Sequence, residues 1–459
     1  MAVQAAFIVP HPPIVLPEIG QGREREIAAT TESFRAVAAR IGELRPDTIL
    51  VFSPHAVAYS DYIHISPGEE AEGDLAPFGA PGPLHATYDT ELVRAIAAYC
   101  KAEGFPAGTL GERDPALDHG VLIPLRFINE TYSDYKLVRI SLSGLSREEH
   151  YRFGMLLNRC IEALGRNTVI IASGDLSHKL LESGPYGYVP EGPKLDKALT
   201  AAMERGSFWD FLTLPDALTD KGADCGLLSF VMMAGVLDCK AVKPRLLSYE
   251  GPFGVGYGVA SFEVLGEDPG RNFLDQQKRD RMLDVRLRRE AEDAYVRLAR
   301  ETLEAYVLTG KMPFLSPELP PELLYGQAGV FVSIKRDGRL RGCIGTIDPA
   351  KLSIAEEIRT NAVSAGTRDP RFSPVGPGEL EELVYSVDVL LPPEPAEIGT
   401  LDPARYGVIV TSGLKRGLLL PDLDGIETVG EQITVAMKKA GIKPDDSYSL
   451  ERFEVVRHY

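Results

Sequence analysis

No two of the five cysteines in this 459-residue chain stand at CxxC spacing. Cys100, Cys160, Cys225, Cys239 and Cys343 are scattered, which argues against a disulfide framework and a zinc knuckle and leaves small buried hydrophobes as the plain reading. Apolar runs of the roughly 18 residues that a membrane span needs are also missing. The opening MAVQAAFIVPHPP has no basic stretch and runs at once into prolines, so no secretory signal is expected and the protein reads as cytoplasmic. Positive charge is in short supply, with Lys+Arg 49 against Asp+Glu 66 and a net charge of −17. That disfavours nucleic acid and anionic membrane as partners and points to a small ligand or a protein. There is no HExxH signature, internal repeat or low-complexity tract.

What remains is an ordinary globular composition, 44% hydrophobic and 25% charged, in a chain long enough for two or three domains. The first half alternates short β-branched runs (AAFIVP, TILVFSP, DYIHISP, YKLVRISL, TVIIASGDLSH, AVKPRLLSYEG) with segments of helical period at 24–44, 90–103, 147–164 and 195–205. Such alternation predicts an α/β domain over 1–268, with a largely parallel or mixed sheet flanked by helices. A polar, charged linker is expected over 269–280. An α+β domain is expected over 281–459, with strands at AGVFVSIKR, GRLRGCIGTI, LVYSVDVLL, YGVIVTS and KRGLLLP.

In FIVPHPPIVLPEIG a histidine stands among prolines directly after an apolar run. Proline fixes its own φ and pushes its predecessor toward extended backbone, so His11 belongs at a strand end. His55 closes ILVFSPH, His178 closes IIASGDLSH, and His119 lies in LDHG. Each alone reads as an ordinary structural histidine. Together, His11, His55 and His178 fall where an α/β sheet collects ligands, at the carboxyl ends of strands. Two neutral imidazoles and a carboxylate hold ferrous iron while leaving adjacent positions open. Glu250 in LLSYEGPFGVGYG offers that carboxylate, with a surface turn as the alternative. Zinc would also accept two histidines and a glutamate.

VPHPP, SPH, LDHG, SGDLSH and YEGPFGVGYG, in this order over roughly residues 1–266, resemble the catalytic LigB-type subunit of class III extradiol dioxygenases and their relative Memo. The resemblance implies iron(II) held by His11, His55 and Glu250, with His178 as acid/base and His119 lining the substrate pocket. It implies a catechol-like aromatic and dioxygen as substrates. Memo-like proteins carry a cysteine in place of that glutamate, so Glu250 favours the dioxygenase branch over a metal- or peptide-binding protein.

LRGCIGTI, AGTRDPRFSPV, YSVDVLLPPEP and GLKRGLLLPDL resemble the AMMECR family over roughly 280–459. The two halves together resemble the AmmeMemoRadiSam system proteins, which implies a radical S-adenosylmethionine protein as a partner. Self-association stays open. Within this half Cys343, near Arg341, could be a thiol of lowered pKa or a packed strand residue. Arg368, Asp369 and Arg371 could bind an anion or form a salt-bridged turn.

Overall fold

The computed structural model describes residues 2–336, 338–423 and 425–459 and divides into two compact units, Met1–Gln276 and Gln277–Tyr459. The first is built on a six-stranded sheet. Its strands are β1 (Val3–Val9), β2 (Thr48–Ser53), β3 (Lys136–Ser141), β4 (Thr168–Ser173), β5 (Lys240–Glu250) and β6 (Tyr257–Glu267). They lie in the order β3-β2-β4-β1-β6-β5. The first four neighbours pair in parallel, and β6 joins antiparallel to both β1 and β5, so the sheet is mixed.

Side chains alternate across the sheet, and both faces are covered. Ala6, Ile8, Leu50, Phe52, Ile170 and Phe262 enter one core. Ala5, Phe7, Val9, Ile49, Val51 and Val259 enter the other. Burial on both sides is why these strands read as continuous apolar runs rather than alternating ones. One core is closed by helices α2 (Thr90–Ala102), α4 (Arg147–Leu164), α5 (Glu191–Arg205) and α6 (Leu227–Val236). The other is closed by α1 (Ala28–Leu44) and α3 (His119–Ile128). Register brings the carboxyl ends of the parallel strands to one edge: Val9 lies opposite Ser173, and Ser53 opposite Ser141.

Two stretches differ from the sequence reading. Residues 257–267, where the sequence reading names no strand, form β6, whose partner β5 supplies a ten-pair ladder. The expected linker over 269–280 is largely helical, because the helix Phe273–Ala291 begins within it.

The second unit holds two four-stranded antiparallel sheets. Helix Ile354–Thr367 packs into the core of the first, and Val429–Ala440 into that of the second. Among the described residues no helix is long and apolar enough to cross a membrane.

Candidate metal centre

The strand ends deliver a cluster. His11 follows β1 by two residues and is only 2% exposed. Its backbone N–H donates to Asp175 Oδ1 at 2.9 Å, which ties the turn after β1 to the turn after β4. The Ser173 hydroxyl donates its one proton to the Gly120 carbonyl at 2.6 Å, so toward His11 Nδ1, 3.0 Å away, it accepts. His11 therefore carries its proton on Nδ1 and presents a bare Nε2, the tautomer a metal requires. That Nε2 lies 2.9 Å from His55 Nε2.

The third group is Cys225, in the loop before α6. A Cβ on Gly174 would lie 2.1 Å from Gly226 Cα, so only two glycines allow the Cys225 loop to press against the end of β4. Cys225 Sγ accepts the Asp175 N–H at 3.3 Å and stands 3.6 Å from His11 Nε2. Donor atoms of His11, His55 and Cys225 all fall within 4.8 Å of one another, as do those of Asp175, His178 and Cys225. In a tetrahedral zinc site with bonds of about 2.0 Å to nitrogen and about 2.3 Å to sulfur, nitrogen and sulfur sit roughly 3.6 Å apart. The residues fit a metal that accepts two imidazoles and a thiolate.

Glu250, the carboxylate expected in the ligand set, is not in either of these groups. Its Oε2 accepts the Thr30 N–H at 2.7 Å and the Thr30 hydroxyl at 2.6 Å. The physical reason lies at the start of α1, whose N-cap residue is Ile27 and has no side chain to cap with. A helix leaves its first N–H groups unpaired and its amino end electropositive, so a carboxylate from the neighbouring strand takes that place. Cys225 was absent from the predicted set because a single cysteine ahead of a helix has no distinguishing spacing.

Burial keeps the imidazoles neutral. It holds His11 well below the ordinary histidine value, with the nearby His55 and His178 adding to the effect. His55 and His178 are lowered chiefly by burial too, and His119 is brought down to about 4 by burial and then by His55 and His11. Asp175 is pushed up to about 6 by burial, and the Cys225 thiol well above its usual value by burial and then by Asp175. Neutral imidazoles are ready ligands, whereas the thiol ionises readily only against a cation.

A family model for the catalytic LigB subunit of aromatic ring-opening dioxygenase matches residues 5–260, more than half the chain. The chain belongs to the LigB family. An AMMECR1 model matches residues 296–458, so a LigB-family domain is fused to an AMMECR1 domain. A protein of Clostridium acetobutylicum is similar end to end: 42% identical over 468 residues, with 100% of this chain and 99% of the relative covered. A Thermotoga maritima protein is 51% identical over 170 residues, 36% of this chain and 98% of its own. The crystal structure of an uncharacterized protein from Pyrococcus horikoshii shares 34% identity over 36% of this chain and 88% of its own, with a TM-score of 0.34.

In the LigB-family domain His119 opens α3 and lies against His55, ring centroids 4.0 Å apart. The preceding Asp118 accepts from the Ser53 hydroxyl at 2.5 Å, which fixes the turn beside His55. Arg139, almost wholly buried, binds the carbonyls of Ala116 and Asp114 and so pins the segment leading to His119. His178 stacks on Tyr186 at 5.1 Å, and its Nε2 is buried without a hydrogen-bond partner.

In the AMMECR1 domain Asp369 and Arg371, read as part of either an anion site or a salt-bridged turn, are paired with one another. Asp369 receives Arg371 through a fork of 2.9 and 2.7 Å and also accepts the Cys343 N–H at 2.9 Å. Arg341 forks onto Glu379 at 2.9 and 3.1 Å. Arg368 is the residue that ends helix Ile354–Thr367. The Cys343 thiol, next to the Ser333 hydroxyl at 3.2 Å, is raised by burial and not lowered. Of the two readings of Cys343, these contacts favour the packed strand residue over the thiol of lowered pKa. They describe a salt-bridged turn fastened to a strand.

Proposed function

We propose that the LigB-family domain is a Memo-like metal-binding domain, with His11, His55 and Cys225 as the donors and zinc the best-matched ion. The single observation carrying this reading is the 3.6 Å approach of Cys225 Sγ to His11 Nε2. Glu250 is engaged with Thr30, so the carboxylate beside the two histidines is that of Asp175, whose Oδ2 lies 3.9 Å from His11 Nε2. A bound ion would supply the positive charge that ionises the Cys225 thiol and polarises an oxygen of an incoming ligand. Ser173 holds the His11 tautomer, and Asp175 orients the His11 backbone. Asp175 and His178 sit beside the donors as groups able to hold or pass a proton.

A second reading, extradiol cleavage of a catechol-like aromatic with iron(II) and dioxygen, has the buried, unpartnered His178 Nε2 in its favour. Such a group could take a phenol proton. Anaerobic loading with ferrous iron, followed by catechols and oxygen, separates the two. The Memo-like reading expects retained metal and no oxygen uptake. An iron-dependent yellow ring-fission product would establish the dioxygenase instead.

A further inference from the structure

Beside the cluster lies a cleft of about 380 Å³ between the loop at 181–185 and the loop at 252–257. That volume suits a ligand with one ring. Its walls mix exposed polar surface with the apolar side chains of Ile14, Leu181, Pro185, Phe253 and Val255, and Arg23 is the one charged residue among its described lining. In a chain carrying a net charge of −17, a cleft whose lining bears a cation and no carboxylate is a selective feature. The Arg23 guanidinium is seated over the Phe253 ring, 4.6 Å from its centroid, which orders it and leaves its N–H edge for a partner. Its contact with Glu26, 3.5 Å between two exposed side chains, is a weak competitor.

The cleft walls are set by close backbone contact: a Cβ on Gly254, at φ +86°, would come within 2.9 Å of Gly184 Cα. Tyr257, which lines the cleft and is 4% exposed, follows Gly256, whose backbone pairs with Leu176 and Ser177 in the segment between Asp175 and His178. The Tyr257 hydroxyl is raised chiefly by burial and then by the Asp175 carboxylate, with the Arg23 guanidinium opposing, and Tyr186, next to the cleft residue Pro185, stacks on His178.

We infer that this cleft binds a small molecule with a ring-sized apolar body and a single anionic head, carboxylate or phosphate, with Arg23 holding the head and Phe253, Leu181 and Pro185 the body. The far end of the ligand then lies along Tyr257, toward Asp175 and His178. This names the ligand class of the centre proposed above and rests on that reading for its purpose, while the contact with Arg23 needs no metal.

The test is a ligand-observed fluorine NMR titration of the full-length protein with 4-fluorobenzoate and 4-fluorophenyl phosphate, with 4-fluorobenzyl alcohol as the neutral match. At least one anion should bind saturably and the alcohol at least about tenfold more weakly, the margin of a charge-assisted contact. R23A should weaken anion binding by a similar factor, R23K should restore part of it, and E26Q should tighten it. Equal binding of anion and alcohol, or anion binding unchanged in R23A, would overturn the inference. Metal content of the same preparations reports on the centre separately. Metal retained without Arg23-dependent binding leaves the centre and removes this cleft, whereas Arg23-dependent binding in a protein that takes up no metal does the reverse.

Discussion

Sγ of Cys225 and Nε2 of His11 stand 3.6 Å apart although 214 residues separate them in sequence. Glycines at 174 and 226 make that approach possible, and Ser173 sets the tautomer that makes it useful. Replacing any one of the three donors, His11, His55 or Cys225, should therefore remove the metal while the fold persists. Cys225→Ala and His55→Ala should each lower bound metal to near background. His178→Ala should retain it, because the proposed centre draws on His11, His55 and Cys225 and not on the second donor group, Asp175, His178 and Cys225. Metal content after dialysis checks all three.

Ser173→Ala removes the acceptor for His11 Nδ1 and frees the imidazole to change tautomer. Loss of a hydrogen bond behind a metal-bound histidine costs roughly 10- to 100-fold in affinity. Competition with a metal indicator should show a weakening of that order. An unchanged dissociation constant would mean that His11 is oriented by its backbone contact with Asp175 alone.

Glu250 is assigned to the first turn of α1, so Glu250→Ala should lower stability by about 1 kcal/mol, as loss of a helix cap does, with metal content unaltered. Thr30→Val should produce a similar loss, and the double variant should fall short of the sum. Urea denaturation of the four proteins measures the coupling directly.

Asp196 gives a pH dependence away from the donor set. It is buried, accepts the Ser177 N–H at 2.7 Å and the Tyr249 O–H at 2.8 Å, and is pushed up to about 7 by burial. An unfolded aspartate titrates near about 3.9, so between those values the native state holds more protons than the unfolded one. Stability is then greatest below about pH 4 for this group and declines as pH rises through 7. Asp196→Asn should flatten that slope and raise stability at pH 8 by on the order of 2 kcal/mol relative to the parent. Urea midpoints at pH 5 and pH 8 provide the comparison.

Much of the fold was legible because both faces of the sheet in the first unit are covered. Strands such as Thr48–Ser53 are therefore apolar at nearly every position and end at Pro or Gly. The same punctuation marked the strand ends that carry His11 and His55. The destination of Glu250 was not legible, because it depends on a helix start 220 residues away whose cap position holds Ile27. Cys225 was equally hidden: its role arises from two backbones touching at glycines, a contact without a local pattern. In the second unit, Asp369 and Arg371 are two residues apart, and sequence alone could not decide between a filled fork and an open one.

The central claim is that sulfur belongs to the ligand set, and X-ray absorption at the metal edge of the zinc-loaded full-length protein tests it most directly. The predicted spectrum contains one sulfur scatterer at about 2.3 Å beside nitrogen scatterers at about 2.0 Å, with the sulfur shell lost in Cys225→Ser and kept in Glu250→Gln. A first shell of nitrogen and oxygen alone, changed by Glu250→Gln and indifferent to Cys225→Ser, would contradict it.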